Sequence, residues 1–326
     1  MTTPFPLLRL PRLALIPVFQ QMEFIDVIAF SLLSKRTYNL SKSLCKKVSS
    51  RDIDLEIDKN CLRIKIALTD GSPLILYFHT DVSKTVEVFY RKNNVQWKNV
   101  VSSPKQWIQR VFDVTKCPSL NKLILNGTPD YDVISFLNVV PKISYLHISR
   151  NCTNSFAIIA LQIFSPVTSK ITLSKLPYSN REEFQRFWLR DVDCLTIYAD
   201  DLSSFQFKID DLLASNAVKL ELSKVPLSLR ELNRFFSCWL NKTSNHRLER
   251  LSVKSLEYFD EDVLLEGLNA TRFTENQTRK FRSTSPFYQF CKLTGGFNVR
   301  RVDGKLAAIT LGNFFEETFI NFDVWS

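Results

Sequence analysis

The chain has 326 residues, 45% of them hydrophobic and 23% charged, with a formal net charge of +10. That length and balance describe a folded chain with room for more than one domain and a sizeable core. Glycine is scarce, at 7 residues against 26 phenylalanines, which argues against phosphate-cradling loops and long flexible linkers.

Residues 1–50 read as three helices. Leu10-Pro11 opens the first, with Leu13, Ala14, Val18, Phe19 and Met22 as its apolar positions. The second carries Phe24, Ile25, Val27, Ile28, Ala29, Phe30, Leu32 and Leu33, which cover nearly its whole circumference. Such a helix needs burial on every side, more than fifty residues supply, so the rest of the chain or a partner has to cover it. A third helix is expected from Ser34 to about Lys46, capped by Ser34, with Tyr38 and Leu44 facing inward.

Residues 51–100 read as a small antiparallel sheet. Ile53, Leu55 and Ile57 alternate with acidic residues, and Leu62, Ile64 and Ile66 alternate with Arg63 and Lys65. Asp58-Lys59-Asn60 turns between them, and Asp70-Gly71 leads into a strand at 74–79. A further strand is expected at 86–90.

From 101 to 297 a strand pattern recurs: apolar, two free, apolar, one free, apolar. It falls on Leu120/Leu123/Leu125, Ile143/Leu146/Ile148, Val192/Leu195/Ile197, Ala217/Leu220/Leu222 and Leu248/Leu251/Val253, and its second half falls on Ile171/Leu173, with Thr168 at the first position. The middle residues are spaced by 23, 25, 24, 25 and 31, which matches a leucine-rich-repeat-like array except at the last step. Helices are expected between the strands at 133–140, 156–164, 182–190, 205–214 and 229–240, two of them with start signals at Asn180/Glu183 and Ser228/Glu231. Strand and helix alternating in this way imply a parallel sheet. Residues 260–286 lack a period and read as a long loop. From 298 to 326, Asp303-Gly304 and Gly312-Asn313 predict tight turns in a hairpin cap. The expected class is therefore α+β with an α/β array: three helices, a small antiparallel sheet, strand–helix units and a hairpin cap.

Reactive residues do not converge. The seven cysteines, Cys45, Cys61, Cys117, Cys152, Cys194, Cys238 and Cys291, form no C-x-x-C pair, and His79, His147 and His246 lie far apart. The reading is free or buried thiols in a reducing compartment, with no zinc site, no cofactor and no enzymatic activity. Asp210-Asp211 and 260–262 read as helix-start or solvated carboxylates. No apolar run approaches the roughly 20 residues that span a bilayer, so no membrane association is expected. Residues 7–16 imitate a leader, but Arg12 breaks their apolar run, Pro11 and Pro17 interrupt a helix, and no small-residue cleavage site follows, so a cytoplasmic or nuclear setting is expected. The positive charge favours acidic partners, while the absence of any RNA- or DNA-binding motif argues against nucleic acid.

Phe5-Pro6-Leu7-Leu8-Arg9-Leu10-Pro11, Val18-Phe19, Met22, Ile28 and Phe30-Ser31-Leu32-Leu33-Ser34-Lys35-Arg36 together resemble an F-box of the large nematode families. Those families often carry a type 2 F-box-associated domain. The stretch 188–253 resembles it, through Val218-Lys219-Leu220-Glu221-Leu222 and Phe235-Phe236-Ser237-Cys238-Trp239-Leu240, and the ending at 301–307 is also similar. The resemblance implies a substrate-recognition adaptor of a cullin-based ubiquitin ligase: the F-box binds a Skp adaptor, which links it to the cullin scaffold, and the remaining domain presents a protein target. Leu10, Pro11, Leu15, Val18, Phe19, Ile25 and Ile28 would then line or support the adaptor contact. Outward strand residues Lys122, Tyr145, His147, Thr172, Tyr198, Glu221 and Arg250 are the candidates for target binding. Pro17 departs from the family pattern. A helix-interior proline costs roughly 3 kcal/mol, so the first helix either kinks or begins near Pro17. The alternative reading is a repeat-type interaction scaffold with no ligase role.

Overall fold

The computed structural model describes residues 7–44, 52–68, 71–80, 85–91, 93–98, 103–134, 142–198, 207–255, 260–273, 279–281, 291–293, 295–314 and 317–324. The chain divides into two compact units, 1–145 and 146–326, and the division falls inside one strand, Ile143–Ile148. The class is α+β: three N-terminal helices, then sheets and further helices.

The first unit begins with a 3-10 turn, Leu7–Arg9, and three helices, α1 (Arg12–Gln21), α2 (Phe24–Leu33) and α3 (Lys35–Leu44). Pro17 lies inside α1, which starts at Arg12 and runs through it. A start near Pro17 is therefore excluded. The proline is exposed on the helix surface, where water can take the carbonyl that loses its donor. Five strands follow: β1 (Asp52–Ile57), β2 (Cys61–Ala67), β3 (Pro73–His79), β4 (Thr85–Tyr90) and β5 (Asn93–Lys98). Each pairs antiparallel with the next. Strand β6 (Leu120–Leu125) joins the other side of β1 in parallel, setting Leu123 beside Leu55 and Leu125 beside Ile57.

The alternation places every second side chain on one face. Ile53, Leu55, Ile57, Leu62, Ile64, Ile66, Leu74, Leu76, Phe78, Val86 and Val88 are all buried there. A helix absent from the sequence-based expectation, α4 (Pro104–Thr115), packs on that face with Trp107 stacked on Phe78 at 4.6 Å. Its start is well specified: Ser103 Oγ accepts from Gln106 N, and Pro104 occupies the first turn, where its missing N–H costs nothing.

In the second unit, β8 (Thr168–Leu173), β9 (Cys194–Tyr198), β10 (Lys219–Ser223) and β11 (Arg250–Ser255) pair in parallel. The register aligns Ile171, Leu195, Leu220 and Leu251 in one row and Leu173, Ile197, Leu222 and Val253 in another. Among the described residues five helices accompany them: α5 (Asn154–Phe164), α6 (Arg181–Trp188), α7 (Ile209–Ala214), α8 (Leu229–Leu240) and α9 (Glu261–Leu265). The start of α8 is a reciprocal capping box: Ser228 Oγ accepts from Glu231 N, and Glu231 Oε2 accepts from Ser228 N at 2.8 Å. Of the helix expected at 133–140, residues 135–140 lie outside the described residues, and the start expected near 205 is not described either.

The chain ends in β15 (Gly296–Arg300), β16 (Leu306–Phe314) and β17 (Glu317–Val324), a meander whose last strand pairs antiparallel with β11. Gly304, at φ +91, makes the first turn. Gly312-Asn313 does not make the second. Both residues stay in the ladder, opposite Phe319 and Thr318, because pairing continues to Phe314 and overrides the local turn preference. The stretch expected as one long loop contains α9, capped by Asp260 Oδ1 accepting from Asp262 N and Val263 N, and the short strands β12 (Thr271–Phe273) and β13 (Arg279–Phe281). Strand β12 pairs with β15, and β13 pairs with β14 (Cys291–Leu293).

Phe322 on β17 is fully buried, stacked on Phe236 at 5.0 Å and edge-on to Trp239 at 4.9 Å. These contacts tie the terminal meander to α8. Phe322→Ala is expected to lower the unfolding free energy by roughly 3–5 kcal/mol, measured by urea denaturation.

Candidate functional site

The three N-terminal helices present one face to their own core and leave another open. Leu15, Phe19 and Ile28 are buried, with Phe19 edge-on to Phe30 at 5.5 Å. Leu10, Val18 and Ile25 are half-buried, and Pro11, the residue that caps α1, is exposed. Of the seven residues expected at an adaptor contact, three therefore serve as internal support and four reach the surface. Two apolar side chains stand out in solvent: Leu13 is 81% exposed and Leu33 50%.

Helix α3 begins on a tight cap. Ser34 Oγ accepts from Thr37 N at 3.1 Å, and Thr37 Oγ1 accepts from Ser34 N at 2.9 Å. The cap sends Lys35 and Arg36 outward, and Arg36 Nη2 donates to the Leu8 carbonyl at 2.7 Å, holding the first turn against α3. An open groove of about 630 Å³ results, in which Leu10, Leu15 and Leu40 meet the cations Arg12, Lys35 and Arg36. Apolar contact and positive charge together suit an acidic partner with apolar anchors.

Helix α4 fixes these helices to the sheet. Its Arg110 Nη1 donates to the Ser31 carbonyl near the C-terminal end of α2 at 2.7 Å, where the helix dipole favours a cation. The same guanidinium lies over the Tyr38 ring at 5.1 Å. Asp113 takes a hydrogen bond from the Tyr38 hydroxyl, one from Gln109 Nε2 at 3.1 Å, and an ion pair with Lys42 at 3.0 Å. Burial alone would raise the Asp113 carboxyl, but the donors Tyr38, Gln109 and Lys42 outweigh it and hold it below the ordinary carboxylate value. Burial, then the bond to Asp113, pushes Tyr38 up to about 12. None of this network was read from the sequence. Its signal was present in Ser103-Pro104 followed by Trp107, Ile108, Val111 and Val114 at helical spacing.

The candidate target-binding residues are divided between the two units. Lys122 and Tyr145 belong to the first unit, and the rest to the second. In the second, Thr172, Thr196, Glu221 and Ser252 share one cross-strand row, and Thr196 Oγ1 donates to Glu221 at 3.4 Å. Thr172 is 6% exposed and Arg250 8%, so neither offers an open side chain. Arg250 is paired with Asp323 at 3.5 Å, and burial raises that carboxyl to about 6. His147 Nε2 bonds to Ser174 Oγ at 3.0 Å, and Tyr198 is half-buried. Among the described residues no group of three or more His, Cys, Asp or Glu is placed to hold a metal ion, and no helix is long and apolar enough to cross a membrane.

A depressed carboxyl stabilises the fold above the ordinary carboxylate pKa and loses that contribution as pH falls through its folded value. Asp113→Ala is expected to destabilise the first unit by roughly 1–3 kcal/mol at pH 7. The gap from wild type should narrow as pH falls below the ordinary carboxylate range and the native carboxyl takes up its proton, followed by urea titrations at pH 7 and at successively lower pH.

Comparison with known families gives two matches. Residues 7–49 match the F-box domain, which spans α1 to α3, and residues 183–253 match the F-box-associated family of type 2, from within α6 to β11. No curated protein and no solved structure matches the chain. The second match covers Phe184 stacked on Trp188 at 5.1 Å, and the α8 aromatics Phe235, Phe236 and Trp239. The chain thus carries an F-box domain followed by a type 2 F-box-associated domain.

Proposed function

We propose that this protein is a non-enzymatic substrate-recognition adaptor of a cullin-based, SCF-type ubiquitin ligase, acting in the cytoplasm or nucleus. The F-box docks on a Skp adaptor and through it on the cullin, and the rest of the chain captures a protein target. The observation that carries the reading is the match of 7–49 to the F-box domain, together with the basic, leucine-lined groove on those helices. Leu13 and Leu33 support it further, because apolar side chains that stand in solvent gain most from a partner.

The capture domain reads as leucine-rich-repeat-like. Support comes from the spacing of the middle strand residues, 23 to 25 apart over the first five strands, and from the parallel, in-register pairing of β8 to β11.

Leu13→Glu and Leu33→Glu test the docking reading without disturbing buried positions. Both variants should fold as wild type by circular dichroism. Each should retain less purified Skp adaptor in a pull-down, and the double variant should lose at least ten-fold in affinity. Equal binding by wild type and the double variant would contradict the proposal.

A further inference from the structure

Strands β1 to β5 lie outside both matched families, and each pairs antiparallel with the next. Among the described residues, the last of them, β5, pairs on one side only. Such edges expose a row of unpaired backbone donors and acceptors, and natural proteins blunt them with lysines, prolines, bulges or short length. Strand β5 has few of these protections. Its ladder with β4 runs without a bulge through six pairs, from Thr85 opposite Lys98 to Tyr90 opposite Asn93. Asn93, Asn94, Val95, Gln96 and Trp97 include neither proline nor charge.

The side chains at this edge are also unfinished. The register places Val95 beside Val88 and Trp97 beside Val86, on the face that is buried elsewhere in the sheet. Val88 and Val86 are fully buried, whereas Val95 is 44% exposed and Trp97 half-buried. On the opposite face Asn94 and Gln96 are exposed next to Phe89, itself 37% exposed and edge-on to Tyr77 at 5.3 Å. Among the described residues the apolar layer therefore continues to the edge and ends there partly exposed.

We infer that β5 is a capture edge, on which an extended segment of another protein adds as a further strand. The backbone fixes the shape of the occupant, since only a strand satisfies a strand edge along its length. Side chains fix its pattern: apolar residues at alternate positions to continue the Val95–Trp97 layer. Charge selects a foreign segment over a second copy. The sequence puts Arg91 and Lys92 before β5 and Lys98 at its end, within a chain of net charge +10, so two such edges repel while a segment with acidic ends is attracted. This goes beyond the adaptor reading by naming where a target is held, and it rests on that reading only for the purpose of capture.

The test uses the full-length protein and a labelled ten-residue peptide in which valine and threonine alternate between glutamate ends, followed by fluorescence anisotropy. In an antiparallel ladder, neighbouring residues point their backbone groups alternately toward and away from the partner strand. Of Val95→Pro and Gln96→Pro, one therefore removes a bond to β4 and the other only an outward donor. The variant that keeps the wild-type melting curve should bind the peptide at least ten-fold more weakly, and so should Val95→Lys. Skp-adaptor binding, measured on the same preparations, should not change, so loss of capture is separable from failure of docking. The inference is overturned if the peptide does not bind or if the variants bind it undiminished. It is equally overturned if a lysine-ended peptide binds as well, or if wild type is a dimer that Val95→Lys dissociates.

Discussion

Helix α2 is apolar around almost its whole circumference, and the first unit is organised by where that surface goes. Val27, Ile28 and Leu32 are buried within the described structure. The three N-terminal helices are too small to bury them alone. Helix α4 supplies what is missing. Its Arg110 reaches the end of α2 at Ser31, its Asp113 gathers Tyr38 and Lys42 from α3, and its Trp107 stacks on Phe78 in the sheet. One helix thus faces the F-box with a polar network and the sheet with an apolar stripe, a division set by its amphipathic pattern. What remains uncovered, Leu13, Leu33 and the basic groove, is the part that suits a partner.

The second unit solves a different problem, the burial of large aromatics. Phe184, Trp188 and Phe207 pack together, and Phe235, Phe236, Trp239 and Phe322 form a second cluster. Trp188 keeps its indole donor satisfied by the Asp211 carbonyl at 2.5 Å, and the Asp211 carboxylate accepts from Arg181 at 2.6 Å and from Lys208 N at 2.8 Å. Polar groups are buried on the other face of the sheet as well, at Arg250 and Asp323. That face is therefore structural over part of its area.

Much of this was legible in the sequence, for reasons of periodicity. Alternation at Ile53, Leu55 and Ile57, and the recurrent pattern at Leu120, Leu146, Leu195, Leu220 and Leu251, report side chains that face a core, and strands stand at each. Ser228 and Glu231 marked the start of α8 because a capping box is a local device. Long-range contacts were not legible. Arg250 looked like an outward strand residue until β17 brought Asp323 beside it. Gly312-Asn313 looked like a turn because the ladder that holds it extended is made with residues that follow later in the chain. Helix α4 escaped because its apolar stripe is interleaved with Gln106, Gln109, Arg110 and Asp113, and the meaning of those polar residues lies in α2 and α3.

The central claim is that the F-box helices and the small sheet form one cooperative unit through α4, with Leu13, Leu33 and the basic groove left open. Native-state hydrogen exchange of the full chain, with and without the Skp adaptor, tests it most directly. The account predicts that amides of α2 and α4 open with the same free energy as those of β2 and β3, and that the adaptor adds protection to the F-box helices and none to the sheet. Exchange of α2 at fraying rates while the sheet stays protected would contradict it, and so would adaptor protection that falls on the sheet instead.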